Sequence, residues 1–386
     1  MKHSPPPSTA RSSERYRAID ALRGYAALSV LVFHLLFNSA WWDLLAGGMP
    51  EWAHLAVGSL RNGVAVFFVI SGFVIGYTTQ RLATPGDGGL FALRRQIRLD
   101  PPYYVMIAVA LALAFAEARL GFDTREFTFA EVALNLLYLQ NISGVPEILP
   151  VAWTLCLEVQ FYLVVVAVTL LASALARSNA LRRRSIARGA MLALGAFSIS
   201  MPLLGLTAGP WFIGLWWQFC LGATLSWFVR GEIGNRFMLA VLGAAAGILL
   251  LTAAFAPARA DAWWGEWFAL AAAIAIHVFI VTGTLTRGHG RVPLHLGRLS
   301  YSLYLVHFPV AGMTMGAILK ITGPSIPAAV FAVVAGAVTS LIAAELLMRF
   351  VEGPAIRWAV RLKDRARMTP ARAPRAARPQ TAPTGA

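Results

Sequence analysis

Ten apolar runs follow one another along the chain, at residues 18–38, 57–77, 102–119, 151–174, 190–207, 211–229, 237–255, 266–285, 301–320 and 327–350. Each is close to the roughly 20 residues that a helix needs to cross a bilayer core. None shows the apolar/polar alternation of a barrel strand, and lipid offers no hydrogen-bond partner to an open backbone, so each run is predicted as a helix. An eleventh run, 132–139, is too short to span and is expected as an interfacial or re-entrant helix. The pattern predicts an all-α fold: a polytopic transmembrane helical bundle of about ten spans.

Composition supports the same class. Of the 386 residues, 58% are hydrophobic and only 13% charged, where a soluble domain carries about 25% charged residues. The mean hydropathy is +0.64. Most of the 33 Lys and Arg fall on alternate inter-span segments and the two ends, leaving Arg61, Arg119, Arg125, Arg259 and Lys320 on the other side and Arg23 inside the first run. By the positive-inside rule both termini are expected in the cytoplasm. The net charge of +15 is then a topology signal and a contact with anionic membrane lipids, and no nucleic-acid partner is expected. Residues 1–17 are expected as a disordered cytoplasmic N-terminus, 18–354 as one membrane domain, and 355–386 as a basic, largely disordered cytoplasmic tail. Cys156 and Cys220 both lie inside apolar runs, so no disulfide framework is implied.

Polar residues that hydropathy does not explain mark the chemistry. Arg23 and His34 lie eleven positions apart, which places both on one helix face about 16 Å apart along the axis. Counted from the predicted helix ends, His34 lies about 24 Å from the inner start of its helix and Glu158 about 12 Å from the outer start of its own. In a core of about 30 Å these levels are similar. A carboxylate beside an imidazole fixes its tautomer and raises its basicity, as a general base requires. A plain interhelical hydrogen bond fits the same two residues, and the sequence leaves both readings open.

A second group, Arg94-Arg95-Gln96-Ile97-Arg98, closes the loop before the third run. If that segment is helical, Arg95 and Arg98 are neighbours whose guanidinium forks match phosphate oxygens. Ordinary positive-inside arginines give the same pattern. On the ninth run, Ser300, Tyr304 and His307 form one polar stripe. On the second, Ser71-Gly72 permits close helix approach or a cavity wall.

Six segments in order resemble the acyltransferase-3 family of integral membrane O-acyltransferases. They are Ile19 to His34, with an Arg, ten residues and a His; Phe67 to Phe73; Arg94 to Tyr103; Trp153 to Tyr162; Leu296 to His307; and the closing Glu352-Gly353-Pro354. The resemblance implies a bacterial-type inner-membrane enzyme that moves an acyl group, acetyl by default, from cytoplasmic acyl-CoA to a hydroxyl of a glycan or small hydroxylated acceptor. Some relatives carry a further hydrolase-like domain; the short tail here is expected to make the chain a stand-alone membrane module. On this basis His34 is expected as general base with Glu158 orienting it. Arg23, Arg95, Arg98 and Ser71 would hold the donor, and Trp153, Gln160, Tyr304 and His307 the acceptor. The pantetheine arm of CoA, on the order of 15–20 Å, matches the rise from Arg23 to His34. No metal is expected. Acyl relay through His34 itself or Cys156 is a variant of this mechanism, although Cys156 and Glu158 point roughly 200° apart on a helix. A proton-coupled transporter or flippase is the alternative, weakened by the lack of visible inverted repeats.

Overall fold

The computed structural model describes residues 16–37, 39, 41–78, 82–119, 125–177, 179–256, 260–287 and 290–368. In chain order the helices are α1 (Arg17–Leu36), α2 (Trp42–Ala46), α3 (Glu51–Ser59), α4 (Gly63–Thr78), α5 (Pro85–Arg119), α6 (Phe129–Leu136), α7 (Gln140–Ser143) and α8 (Trp153–Ala176). They continue as α9 (Ala180–Ser200), α10 (Trp216–Val229), α11 (Asn235–Phe255), α12 (Ala260–Val281), α13 (Arg291–Thr322), α14 (Ile326–Leu347) and α15 (Gly353–Met368). No strand occurs among the described residues. Eight helical stretches are long and apolar enough to cross a membrane. The protein is therefore an all-α polytopic bundle. The expected ten spans require α9, whose first turns carry Arg182, Arg183 and Arg184, and α12, of which Gly265–Val281 forms a shorter apolar helix.

Hydropathy located the helices but truncated several. The runs at 102–119 and 301–320 are the apolar halves of α5 and α13, whose other halves carry charge and are equally helical. Arg94 to Arg98, expected at the end of a loop, lie in the middle of α5. The run at 190–207 is shifted: α9 starts ten residues earlier, at Ala180, and Met201–Gly205 is turn. The short run at 132–139 corresponds to α6, which starts with a capping box between Thr128 and Glu131. Residues 355–368, expected as disordered tail, are helix. Arg94 Nε donates to the Ala359 carbonyl at 3.1 Å and holds α15 against α5. Residues 1–15 and 369–386 lie outside the described residues.

Glycines set the central packing. A Cβ on Gly72 of α4 would run into the Phe219 backbone of α10, and one on Gly222 would run into the Val69 carbonyl, so these helices touch backbone to backbone. Gly24 and Gly297 do the same for α1 and α13. Without a hydrophobic drive between helices in lipid, such close approach supplies the dispersion contact that holds them together. It also fixes which faces of α1, α4 and α13 turn inward, and those faces carry Arg23, His34, Ser71, Ser300, Tyr304 and His307.

Two irregular segments position the rest. Between α14 and α15 a π turn, Met348–Glu352, buries Glu352 to 1% exposure, where its carboxylate accepts from Ser302 Oγ at 2.6 Å. On the opposite side, residues 129–152 form a cap organised by buried Asn135. Its amide donates to the carbonyls of Glu131 (2.9 Å) and Pro146 (3.0 Å), and its oxygen accepts from the Ile148 amide (3.1 Å). Tyr103 OH and Tyr138 OH bind this cap to the middle of α5 through the Asn135 carbonyl and Asp100. Helix α8 starts beneath the cap, with Leu149, Val151 and Ala152 buried.

Candidate active site

Two cavities occupy the bundle centre, one above the other along α1. The inner one is narrow, about 80 Å³, and is lined by Arg23, Ser71, Arg95, Arg98, Glu158 and Tyr162 among others. Here α5 matters most: because 85–101 is helix and not loop, Arg95 and Arg98 turn toward α8. The Arg95 guanidinium lies over the rings of Phe91 and Tyr162, 5.7 and 5.3 Å from their centroids, a stacking that holds its plane without using its donors. Glu158 Oε1 accepts from Ser71 Oγ at 3.0 Å and from Tyr162 OH. Arg23, from α1, lines the same cavity as Arg98 and Glu158. Three guanidiniums on two helices thus line one cavity with a tethered carboxylate, an arrangement able to grip phosphate oxygens.

The outer cavity is larger, about 300 Å³, and His34 forms part of its wall with Phe33, Asn62, Trp153, Gln218 and Glu266. His34 Nδ1 lies 2.9 Å from the Val30 carbonyl, and His307 Nδ1 lies 3.0 Å from the Leu303 carbonyl. A carbonyl can only accept, so both rings carry hydrogen on Nδ1. His307 Nε2, 3.2 Å from His34 Nδ1, then accepts the second half of a forked bond. The neutral His34 keeps its lone pair on Nε2. Phe33 and Phe308 pack edge-on to the ring at 5.0 and 5.4 Å between centroids and fix its plane.

Val64, Phe68 and Tyr304 line both cavities and form the partition between them. Tyr304 is pinned, accepting from Thr154 Oγ1 at 2.9 Å and donating to the Val151 carbonyl at 3.1 Å. Phe68 is wedged between Phe219 and Trp153, with centroids 4.8 and 6.3 Å away.

The structure thus gathers Arg23, Arg95, Arg98, Ser71 and Glu158 in one place and His34, Trp153 and His307 in another, with Tyr304 between. It does not make the expected contact between His34 and Glu158, which line different cavities. Counting depth from the start of α8 takes that end as the outer membrane surface, but the chain of 129–152 packs over it and Glu158 lines the cavity of the arginines. The partner of His34 is instead His307. Gln160 lines neither cavity: its oxygen accepts from the Phe212 amide at 3.0 Å and its nitrogen reaches the Pro210 carbonyl at 3.5 Å, tying the segment before α10 to α8. Cys156 is buried and also lines neither. Among the described residues no group of three His, Cys, Asp or Glu is placed to hold a metal.

Several neighbours escaped the sequence reading. Tyr162 and Glu352 lie inside the segments that resemble the family, where residue type alone points to no role. Glu266 and Gln218 are polar residues in apolar runs, a signal of cost in lipid that went unused. Asn62 lies in the turn before α4 and gave no signal.

A helical membrane bundle with an arginine-lined cavity stacked under an imidazole-lined one defines a polytopic membrane protein with a polar site inside the bundle. The model of the acyltransferase-3 family, described as an Acyltransferase domain, matches residues 16–345. The chain belongs to this family, whose members are acyltransferases moving groups other than amino-acyl groups. It is 29% identical over 313 residues to a Komagataeibacter xylinus protein assigned by name only as a membrane-bound transacylase, BcsY, covering 76% of this chain and 72% of that one. It is 29% identical over 244 residues to nodulation protein 10 of Rhizobium leguminosarum bv. viciae, covering 57% and 63%. Over 380 residues it is 28% identical to the peptidoglycan O-acetyltransferase OatA of Listeria monocytogenes, covering 90% and 57%. The chain thus spans less than two thirds of the second and third of these relatives. No solved structure matches.

Proposed function

We propose that the chain is a membrane O-acyltransferase that takes an acyl group, acetyl by default, from cytoplasmic acyl-CoA and passes it to a hydroxyl of a carbohydrate or related acceptor on the far side of a bacterial inner membrane. The observation that carries the reading is the adjacency of the two cavities, which share Val64, Phe68 and Tyr304 in their linings. The arginine side suits the phosphates of CoA, and the imidazole side suits a hydroxyl that must lose a proton.

Arg23, Arg95 and Arg98 hold the donor's phosphates through charge-assisted bonds. Glu158, fixed by Ser71 and Tyr162, orients the arginines and not the imidazole. The pantetheine arm passes the partition where Phe68 and Tyr304 border both cavities, and so brings the thioester into the outer cavity beside His34. His34 Nε2 takes the proton of the acceptor hydroxyl as its oxygen attacks the thioester carbonyl. The tetrahedral intermediate collapses with cleavage of the C–S bond, and the imidazolium returns its proton to the CoA sulfur. One ester and one free thiol result. The Val30 carbonyl and His307 hold the tautomer, the role a carboxylate has in hydrolase triads.

The test uses purified protein in detergent with radiolabelled acetyl-CoA. Wild type transfers label to an added glycoside or releases it as acetate, and His34→Ala, folded as judged by its thermal unfolding, does neither. Wild-type turnover in His34→Ala overturns the mechanism.

A further inference from the structure

Three residues of the outer cavity wall each carry a buried side-chain polar atom with no hydrogen-bond partner among the described residues: Asn62 Nδ2, Gln218 Oε1 and Glu266 Oε2. Asn62 is 7% and Gln218 2% exposed, and all three residues line the same space as His34. They come from three places in the fold: the turn before α4, the first turn of α10 and the start of α12. Leaving a buried polar group unpaired costs about 1–3 kcal/mol each, so a fold that keeps three of them around one cavity bears a standing cost at one place.

Their chemistry is mixed. Asn62 offers a donor, while Gln218 and Glu266 offer acceptors. Arg61 lines the cavity as well as Glu266, so the wall carries one group of each charge type and favours a neutral ligand over a phosphate, a carboxylate or an ammonium. A group of hydroxyls, each able to donate and to accept, satisfies all three. Gly265 belongs to the same device, because a Cβ there would sit 3.3 Å from Asn62 Oδ1 and crowd the amide. Trp153, 37% exposed, adds an aromatic face, and Phe33 and Phe68 close the rest with apolar wall. At about 300 Å³ the space is at the small end of ligand pockets, room for one ring.

We propose that Asn62, Gln218 and Glu266 form the recognition subsite for the acceptor, a single uncharged polyhydroxylated ring, and fix which of its hydroxyls meets His34. This rests on the acyltransferase reading above, but the subsite is tested without acyl chemistry. A site built to hydrogen-bond hydroxyls rejects analogues that lack them, because its own buried groups are then left unpaired.

The experiment titrates methyl hexosides into the purified full chain without acyl-CoA, followed by saturation-transfer NMR, with cyclohexanol as a ring of similar size bearing one hydroxyl. Wild type is expected to bind at least one hexoside at least tenfold more tightly than cyclohexanol. Gln218→Leu and Asn62→Leu are expected to lose that preference, with thermal unfolding confirming that each variant is folded; Gln218→Leu also gives up the side-chain hydrogen bond to Glu266. Asn62→Asp, which keeps the shape and exchanges a donor for an acceptor, carries the same readout if a leucine variant fails to accumulate. Equal binding of hexosides and cyclohexanol by wild type, or an unchanged preference in the variants, overturns the subsite. With labelled acetyl-CoA added, the variants raise the KM for the hexoside at least tenfold against a smaller change in kcat. Hexoside binding with no label transfer in wild type leaves this subsite standing and overturns the acyltransferase mechanism instead.

Discussion

The two central cavities differ in how finished they are. In the inner one Glu158 is held by Ser71 and Tyr162, and Arg95 is stacked on two rings; the charged groups are fixed before any ligand arrives. In the outer one His34 is fixed, yet Asn62, Gln218 and Glu266 have buried atoms without partners. The difference teaches how to read each kind of site. Charge in a low-dielectric interior must be compensated internally to persist at all, so a site for an anionic head group announces itself by what surrounds it. A site for a neutral hydroxylated ligand can remain incomplete, and announces itself by what is missing.

If the chemistry resides on the imidazole side, His34→Ala lowers kcat by roughly 10²–10⁴-fold, the usual contribution of a general base, and leaves the KM for acetyl-CoA unchanged. Steady-state kinetics with labelled donor separates the two. The complementary change, Arg98→Gln, removes charge-assisted bonds worth about 1.5–3 kcal/mol, which raises the KM for acetyl-CoA roughly 10–100-fold with little change in kcat. Finding both variants altered in the same parameter would erase the division between the cavities.

The comparison also shows what the sequence could carry. Hydropathy found each long helix, because lipid makes apolar length a physical requirement, but it ended α5 and α13 where their charge begins. The Arg23–His34 spacing holds in the structure because both residues lie on one continuous helix, α1. The Ser300, Tyr304 and His307 stripe survived for the same reason and runs from the inner cavity, past the partition, to the imidazole pair. Levels compared between helices did not survive. Glu158 was matched to His34 by counting from a helix start that the cap at 129–152 displaces, and such a displacement comes from tertiary packing around Asn135. The orphan atoms were illegible for another reason: being unpartnered is a property of surroundings and not of residue type.

Smaller effects sharpen the picture. His307→Ala removes one neutral hydrogen bond to the His34 ring, about 1 kcal/mol, and is expected to lower kcat roughly fivefold and to move the pH–rate profile, which a merely structural role would leave in place. Weakest is an effect of Glu147, in the segment leading to the outer wall at Pro150 and Val151. Burial raises its carboxyl from 4.5 to about 7. The folded chain then binds more protons than the unfolded one across that interval, so stability declines as pH rises from about 4.3 through 7. Glu147→Gln should flatten this decline in thermal unfolding between pH 5 and 8. An unchanged slope would mean that the segment is open to water.

The central claim is that an acyl group enters from the arginine side and leaves from the imidazole side. Sealed proteoliposomes with uniformly oriented protein test it most directly, with labelled acetyl-CoA confined to the face bearing Arg95 and Arg98 and water or a methyl hexoside supplied on the other. The account predicts that labelled acetate or acetylated hexoside appears on the face opposite the donor, and that His34→Ala abolishes it. Label released only on the donor's own face, or transferred equally well when donor and acceptor are both confined to the imidazole face, would contradict it.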